Sequence, residues 1–347
     1  MPGGMSLTRR HFLALSTALA QISVPKQLRP RALRPGDTVG LITPSTYVSD
    51  PDRLALAEHT LKYFDLMPKL GKNVRKRNGY LGGSIGERLD DLHSMFADPS
   101  VNAVFAIRGG YGSAQLLDRI DYNLLRKNPK IFLGYSDITA LHLAIQKRTG
   151  MVTFHGPVAL SGFSEYTQKN FRRALFETAP LGSVTNPSES NQLRPAHTLR
   201  TIRPGKARGP LVGGNLTLIS TTMGTPFEIE TRGRILLLED VDEQPYSIDR
   251  MLTQLRLAGK FDGVAGVVFG ECNACRPRDY KPAFESTLSL GEVLDEILGQ
   301  LRVPVLSGLT FGHTDDQLTL PLGVTATLDA DKGELVIEES GVTEPRR

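Results

Sequence analysis

Two α/β domains are what this 347-residue chain predicts: first an open, mostly parallel sheet carrying a strand-to-helix elbow, then an α/β unit with a β-rich end. Three observations carry the prediction. Apolar strand-like runs alternate with segments of helical spacing from about residue 35 to residue 180. The alternation lapses between Ser183 and Gly209, where Asn186-Pro187-Ser188-Glu189-Ser190-Asn191 is a polar loop run, and then resumes. Several strands are near-continuous apolar runs, as strands buried on both faces of a parallel sheet are. The corresponding division is a leader at residues 1–24, a first domain at 35–182, a linker at 183–209 and a second domain at 210–340. The length is enough for each domain to bury a core.

The leader comes first. Thr8-Arg9-Arg10-His11-Phe12-Leu13 resembles the twin-arginine export motif, and the apolar run Phe12 to Val24 is interrupted by Ser16, Thr17, Gln21 and Ser23. Such a run is too short and too polar to remain as a membrane span, whereas it suits a signal-peptide core, with Ala18-Leu19-Ala20 as a cleavage site. The expected address is the bacterial periplasm or beyond, or the cytoplasm if the leader does not function.

Thr38 to Thr43 then reads as a short buried strand, followed by helical spacing over Arg53 to Phe64 and again over Glu87 to Phe96. Val101 to Ile107 is a buried strand, Ala114 to Ile120 a helical stretch, Ile131 to Tyr135 a strand, Thr139 to Gln146 a helix and Val152 to Phe154 a strand. Beyond the polar lapse come a helical stretch at Leu216 to Met223, a strand at Arg234 to Leu238 and a helix at Ile248 to Leu257. A strand at Val264 to Phe269, a helix at Leu290 to Leu298 and strands at Thr325 to Leu328 and Glu334 to Ile337 complete the pattern.

Composition excludes several classes of function. With 40% hydrophobic and 22% charged residues the chain is ordinary globular material, neither fibrous nor largely disordered. The net charge of +4 falls to +2 without Arg9 and Arg10, and no basic block tracks a phosphate backbone, so nucleic acid is not an expected partner. Cys272 and Cys275 form a lone Cys-Asn-Ala-Cys after a strand, without the second ligand pair of a zinc site, and read as two loop thiols or an optional local disulfide. No metal is expected.

Ser136 is the candidate nucleophile. In Ile131-Phe-Leu-Gly-Tyr-Ser-Asp-Ile138 an apolar strand runs through Gly134 into a helix, which lifts a serine clear of the sheet edge and places the amide of Asp137 at a helix start. Ile138 stands where a strict G-x-S-x-G has its second glycine, and a Ser-Asp pair opening a helix is also an ordinary N-cap.

Arg108-Gly109-Gly110-Tyr111-Gly112 follows a buried strand, and its backbone amides can point at an anion or oxyanion. As a dinucleotide fingerprint it fails, because Gln115 occupies the third glycine position. A serine needs a base and the base a carboxylate. His313, in the glycine-flanked loop Thr310 to Asp315, is the candidate base, since loops at strand ends commonly present one. Glu239, at the end of the apolar run Ile235 to Leu238, is the candidate carboxylate, with Asp240 and Glu243 as alternatives.

The ordered strings RGGYG, GYSDIT, TFHGP at Thr153 to Pro157, GGNL at Gly213 to Leu216, LLLED, DRML at Asp249 to Leu252 and FGH resemble the LD-carboxypeptidase family of serine peptidases. Each is weak alone, and the matching motifs, counted from Pro35-Gly36-Asp37, fall in order to about Leu328. The resemblance implies a Ser-His-Glu triad of Ser136, His313 and Glu239, with the backbone of Gly110 and Asp137 as oxyanion hole and no cofactor. It implies two α/β domains with the site in the cleft between them, a homodimer, and cleavage at an L-to-D peptide bond that releases terminal D-alanine from murein tetrapeptides. Arg108 is a candidate for the substrate carboxylate, with a structural role open beside it. An exported address departs from the family's cytoplasmic recycling of cell-wall peptides, and would suit trimming of the wall or its fragments. Two other readings remain: an immunity-type peptidase of the same fold that cleaves peptide-nucleotide antibiotics, and an exported solute-binding protein in which Ser136 only caps a helix. The first needs a surface on which a purine stacks, and with no Trp in the chain that falls to Tyr or Phe.

Overall fold

A computed structural model of the chain describes residues 27–188, 193, 195–278 and 287–344. The leader read at residues 1–24 lies outside them. In chain order the described elements begin with β1 (Thr38–Ile42), α1 (Pro51–Tyr63), β2 (Met67–Leu70), α2 (Ile85–Ala97), β3 (Val101–Ala106), α3 (Tyr122–Lys127), β4 (Ile131–Gly134), α4 (Thr139–Thr149), β5 (Thr153–His155) and α5 (Glu165–Phe176). They continue with β6 (Gly182–Val184), β7 (Arg200–Arg203), β8 (Lys206–Asn215), α6 (Leu216–Thr221), β9 (Ile235–Val241), α7 (Pro245–Leu257) and β10 (Gly266–Asn273). The last are α8 (Leu290–Ile297), β11 (Val305–Leu309), β12 (Leu320–Leu322), β13 (Thr325–Asp329) and β14 (Glu334–Ile337). The stretch Ala114 to Ile120, read as helical, is a 3-10 turn over Ser113–Arg119.

Two sheets result. The first has the order β12-β5-β4-β3-β1-β2, and its five N-terminal strands are parallel throughout. The second has the order β6-β14-β13-β8-β9-β10-β11-β7, with β8 to β11 parallel and the antiparallel β13, β14 and β6 forming the β-rich end. Ile235 to Leu238 of β9 are inaccessible to solvent, as a strand covered on both faces requires.

Two segments cross between the halves. The span 183–209, read as a linker, contains most of β6, all of β7 and the start of β8, and β7 pairs antiparallel with β11. Its Arg-Thr-Ile-Arg sequence is polar because β7 is an edge strand with little to cover it. β12 leaves the second domain and pairs antiparallel with β5, opposing Leu320 to His155.

The two sheets share a core. One apolar cluster holds Leu133 and Phe154 of the first sheet with Leu211, Leu237, Val268 and Leu309 of the second. Each such side chain contributes on the order of 2 kcal/mol when buried, so the cleft is closed at its base by ordinary hydrophobic packing. A polar tie reinforces it, as the hydroxyl of Thr139 at the start of α4 accepts from the backbone N–H of Asn215 at 3.0 Å.

His142 and His155 are fully buried beneath the elbow, and His142 Nε2 lies 2.9 Å from the Gly134 carbonyl. Burial holds both imidazoles near a pKa of about 3, with the nearby His313 adding to the effect at His155. Both are therefore neutral in the folded chain, whereas below about pH 6.5 the unfolded chain protonates them, so stability falls as pH drops from 6.5 toward 3. Denaturant titrations at pH 7 and pH 5 should show a loss of about 2 kcal/mol from each histidine. His142→Gln should abolish one such share, and an unchanged difference between the two pH values would contradict the buried neutral form.

Candidate active site

Gly134 ends β4 because a side chain there would lie 2.9 Å from the buried Ile138, so the isoleucine that departs from the strict elbow motif is what demands the glycine. Tyr135 is extended, and Ser136 then turns the chain with φ +63°, a left-handed conformation costing about 1–2 kcal/mol in a residue with a Cβ. A 3-10 turn over Ser136–Ile138 leads into α4, and no side-chain cap bond is present at either helical start. The serine hydroxyl thus caps neither; it faces His313, whose Nε2 lies 3.0 Å from Ser136 Oγ. His313 Nδ1 lies 2.8 Å from Glu239 Oε2.

Glu239 is fully buried, and neighbouring residues on a strand point to opposite faces. Asp240 accordingly turns away, accepting hydrogen bonds from Thr217 N–H and O–H, both at 2.9 Å, and from the Asn215 amide at 3.1 Å. Of the three candidate acids, only Glu239 hydrogen-bonds to the imidazole. The loop bearing His313 is itself fastened: Thr310 Oγ1 donates to the Asp316 carbonyl at 2.6 Å, and the backbone N–H of Gln317 donates to Thr167 Oγ1 at 2.8 Å. Gly312 has φ +90°, and a Cβ there would lie 2.3 Å from Glu239 Oε2. Close approach of that loop to the acid is possible only without a side chain.

The glycine turn after β3 passes directly over the serine, since a Cβ on Gly109 would lie 3.1 Å from that of Ser136. Gly110 has φ +113°, and a Cβ would lie 2.2 Å from Thr46 Oγ1. The Asp137 amide is at the first turn of a helix, where the ladder supplies no acceptor. Its buried carboxylate accepts from Ser45 O–H at 2.5 Å and Ser113 N–H at 2.8 Å, which anchors the elbow to both flanking loops. Arg88 completes this frame. Almost wholly buried, it donates to the carbonyls of Pro44 at 2.9 Å and Gly112 at 2.8 Å, and to Gln115 Oε1 at 2.7 Å. Sequence reasoning missed Arg88, Ser45 and Ser113; the available signal was a cation on the inward stripe of α2 beside Leu89 and Leu92.

Ser136 and His313 open into a cleft of about 320 Å³, with Arg53 and Arg108 on its wall together with Val158 and Leu160. The Tyr135 ring packs edge-on to the imidazole, centroids 4.8 Å apart. A larger cavity of about 490 Å³, reached by Leu143, Met151, Val212 and Arg234, shares no residue with this cleft. Among the described residues no group of three or more His, Cys, Asp or Glu is placed to hold a metal ion. Cys272 and Cys275 are joined as a disulfide, so the reading of two free loop thiols gives way to the local bridge. His197, placed in the linker by its sequence, contacts Glu271 at 2.6 Å.

A hydroxyl, an imidazole and a buried carboxylate in hydrogen-bonded series, beneath a glycine turn, is the arrangement of serine hydrolases. Comparison with known proteins narrows the class. Residues 39–156 match the LD-carboxypeptidase N-terminal domain and residues 208–328 the LD-carboxypeptidase C-terminal domain. The chain belongs to the LD-carboxypeptidase family. It is 42% identical over 321 residues to the probable murein peptide carboxypeptidase of Bacillus subtilis, covering 91% of this chain and 96% of that one. A structure of MccF with glutamyl sulfamoyl guanosine superposes with a TM-score of 0.82 at 29% identity, covering 91% of this chain and all of that one. The muramoyltetrapeptide carboxypeptidase of Oxalobacter formigenes superposes with a TM-score of 0.74 at 31% identity, covering 89% of this chain and all of that one.

Gly312→Ala tests the geometry. The new Cβ must push the loop off Glu239, and a displacement near 1 Å at a reacting group costs on the order of 10²-fold in rate. Turnover should fall by about that factor while circular dichroism shows the fold retained; full activity would show that the close approach is dispensable.

Proposed function

We propose that the chain is a serine carboxypeptidase that cleaves an L-to-D peptide bond and releases terminal D-alanine from murein tetrapeptides. The observation that carries this reading is the hydrogen-bonded row from Ser136 through His313 to Glu239. In it, His313 takes the serine proton as Oγ attacks the scissile carbonyl, then delivers that proton to the leaving amine. Glu239 holds the imidazole with Nδ1 protonated, and its burial keeps that hydrogen bond out of competition with water. The amides of Gly110 and Asp137 receive the oxyanion, a role worth on the order of 10²-fold or more in rate for a single donor. Water then repeats the sequence on the acyl-enzyme. The names of the Bacillus and Oxalobacter relatives support the substrate class.

The similarity to MccF, named elsewhere as the microcin C7 self-immunity protein of Escherichia coli, favours one second reading: a peptidase acting on peptide-nucleotide conjugates. The exposed Tyr80 and Tyr111, rings 5.6 Å apart, supply an aromatic surface in a chain without Trp. The readings part in a direct assay. Incubation with defined tri-, tetra- and pentapeptides and an aminoacyl-sulfamoyl nucleoside, with products weighed by mass spectrometry, should show alanine released from the tetrapeptide; cleavage of the nucleoside conjugate alone would favour the second. Ser136→Ala should lower the rate by about 10²- to 10⁶-fold with the fold intact, and a wild-type rate would overturn the assignment. The proposal also takes the chain to be an exported homodimer, which light scattering and cell fractionation test.

A further inference from the structure

We propose that Arg108, with Arg53 beside it, clamps the free carboxylate of the residue that leaves, so that the cleft accepts one small residue beyond the scissile bond. The proposal rests on the peptidase reading above and adds to it the group that sets where the chain is cut.

Placement comes first. Arg108 directly follows β3 and precedes Gly109, the residue that lies against Ser136. Its side chain therefore starts about one Cα spacing, roughly 3.8 Å, from the turn that covers the serine. Arg53, in the first turn of α1, lines the same opening and is near enough to repel Arg108.

Charge is the second observation. No carboxylate lines the cleft, and neither guanidinium makes a hydrogen bond or ion pair with another described residue. Some arginines elsewhere in the chain are paired, Arg29 with Glu339, Arg200 with Asp295 and Arg208 with Glu338, and the buried Arg88 has three acceptors. Partial burial, and then repulsion from Arg53, lower the pKa of Arg108 from its ordinary value. Two neighbouring cations without a counter-ion, Arg108 partly buried and Arg53 exposed, are relieved by an anionic ligand, and a planar guanidinium binds a carboxylate through two parallel hydrogen bonds.

Size is the third. About 320 Å³ is at the low end for a ligand cleft, which leaves space for a residue or two and none for an extended chain. Val158 and Leu160 on the wall suit a methyl side chain such as alanine's. With its carboxylate held at the arginines, the leaving residue places its own amide at the serine; a longer chain would put a neutral peptide group where the charge belongs.

The test separates binding from turnover. Ser136→Ala should bind a tetrapeptide with a free C-terminus about 10- to 100-fold more tightly than the same peptide as its C-terminal amide, read by calorimetry. Adding Arg108→Met, which keeps most of the stem, should erase that difference, and Arg108→Lys should restore part of it. In the otherwise wild-type enzyme Arg108→Met should raise KM for the acid by a similar factor and lower the slower cleavage of the amide by a much smaller one. Equal affinity for acid and amide, or equal losses on both in Arg108→Met, overturns the clamp, because a merely structural arginine would harm both alike. If the acid is preferred in binding but the wild-type enzyme releases no alanine, the clamp stands and the peptidase reading falls.

Discussion

Everything at the cleft depends on one buried carboxylate. Glu239 lies within β9 with no exposure to solvent, and a carboxyl group in such a place is tolerated only when a partner answers it. The answer is His313 Nδ1 at 2.8 Å. That contact requires the loop after β11 to lie flat on the acid, which requires Gly312, and it turns Nε2 toward the serine of the other domain. A chain of near-contacts thus links the packing of the second sheet to the orientation of a hydroxyl on the first.

The relative position of the sheets matters as much as any side chain. Ser136 belongs to one sheet, while Glu239 and His313 belong to the other, so a shift of either by an ångström would break the row. Three features resist that shift: the shared apolar cluster, the Thr139–Asn215 hydrogen bond, and β12, which carries the chain from the His313 loop back onto β5. The strain of Ser136 at φ +63° is borne by the surroundings of the elbow, where Asp137 is bound to Ser45 and Ser113 and Arg88 grips the adjoining turn. A left-handed nucleophile is a high-energy conformation maintained by a rigid frame.

Family membership and geometry speak to different questions. The match over both domains establishes ancestry and the class of chemistry, while the names of relatives point both to murein peptides, at 42% identity, and to self-immunity against microcin C7, at 30%. The cleft wall here carries Arg53 and Arg108 together with the apolar Val158 and Leu160.

Much of this was legible in the sequence because it is local. Apolar runs such as Val101 to Ile107 and Ile235 to Leu238 announce buried parallel strands, and Gly134, Ser136 and the Arg108–Gly112 turn mark an elbow and an anion-facing loop within a few residues of one another. Less visible were β2 and β7, short and largely uncovered because they are edge strands, and β12, whose three residues have meaning only beside β5. By itself the sequence determined the main buried strands and longer helices, the candidate serine, histidine and acids, and the family resemblance. Only the tertiary structure decided that Glu239 rather than Asp240 meets the imidazole, that Arg88 is a buried support and that Arg53 joins Arg108 at the cleft. Those choices depend on which strand face is turned inward and which distant segments are packed together, and the free energy that sets them comes from contacts between residues far apart in the chain.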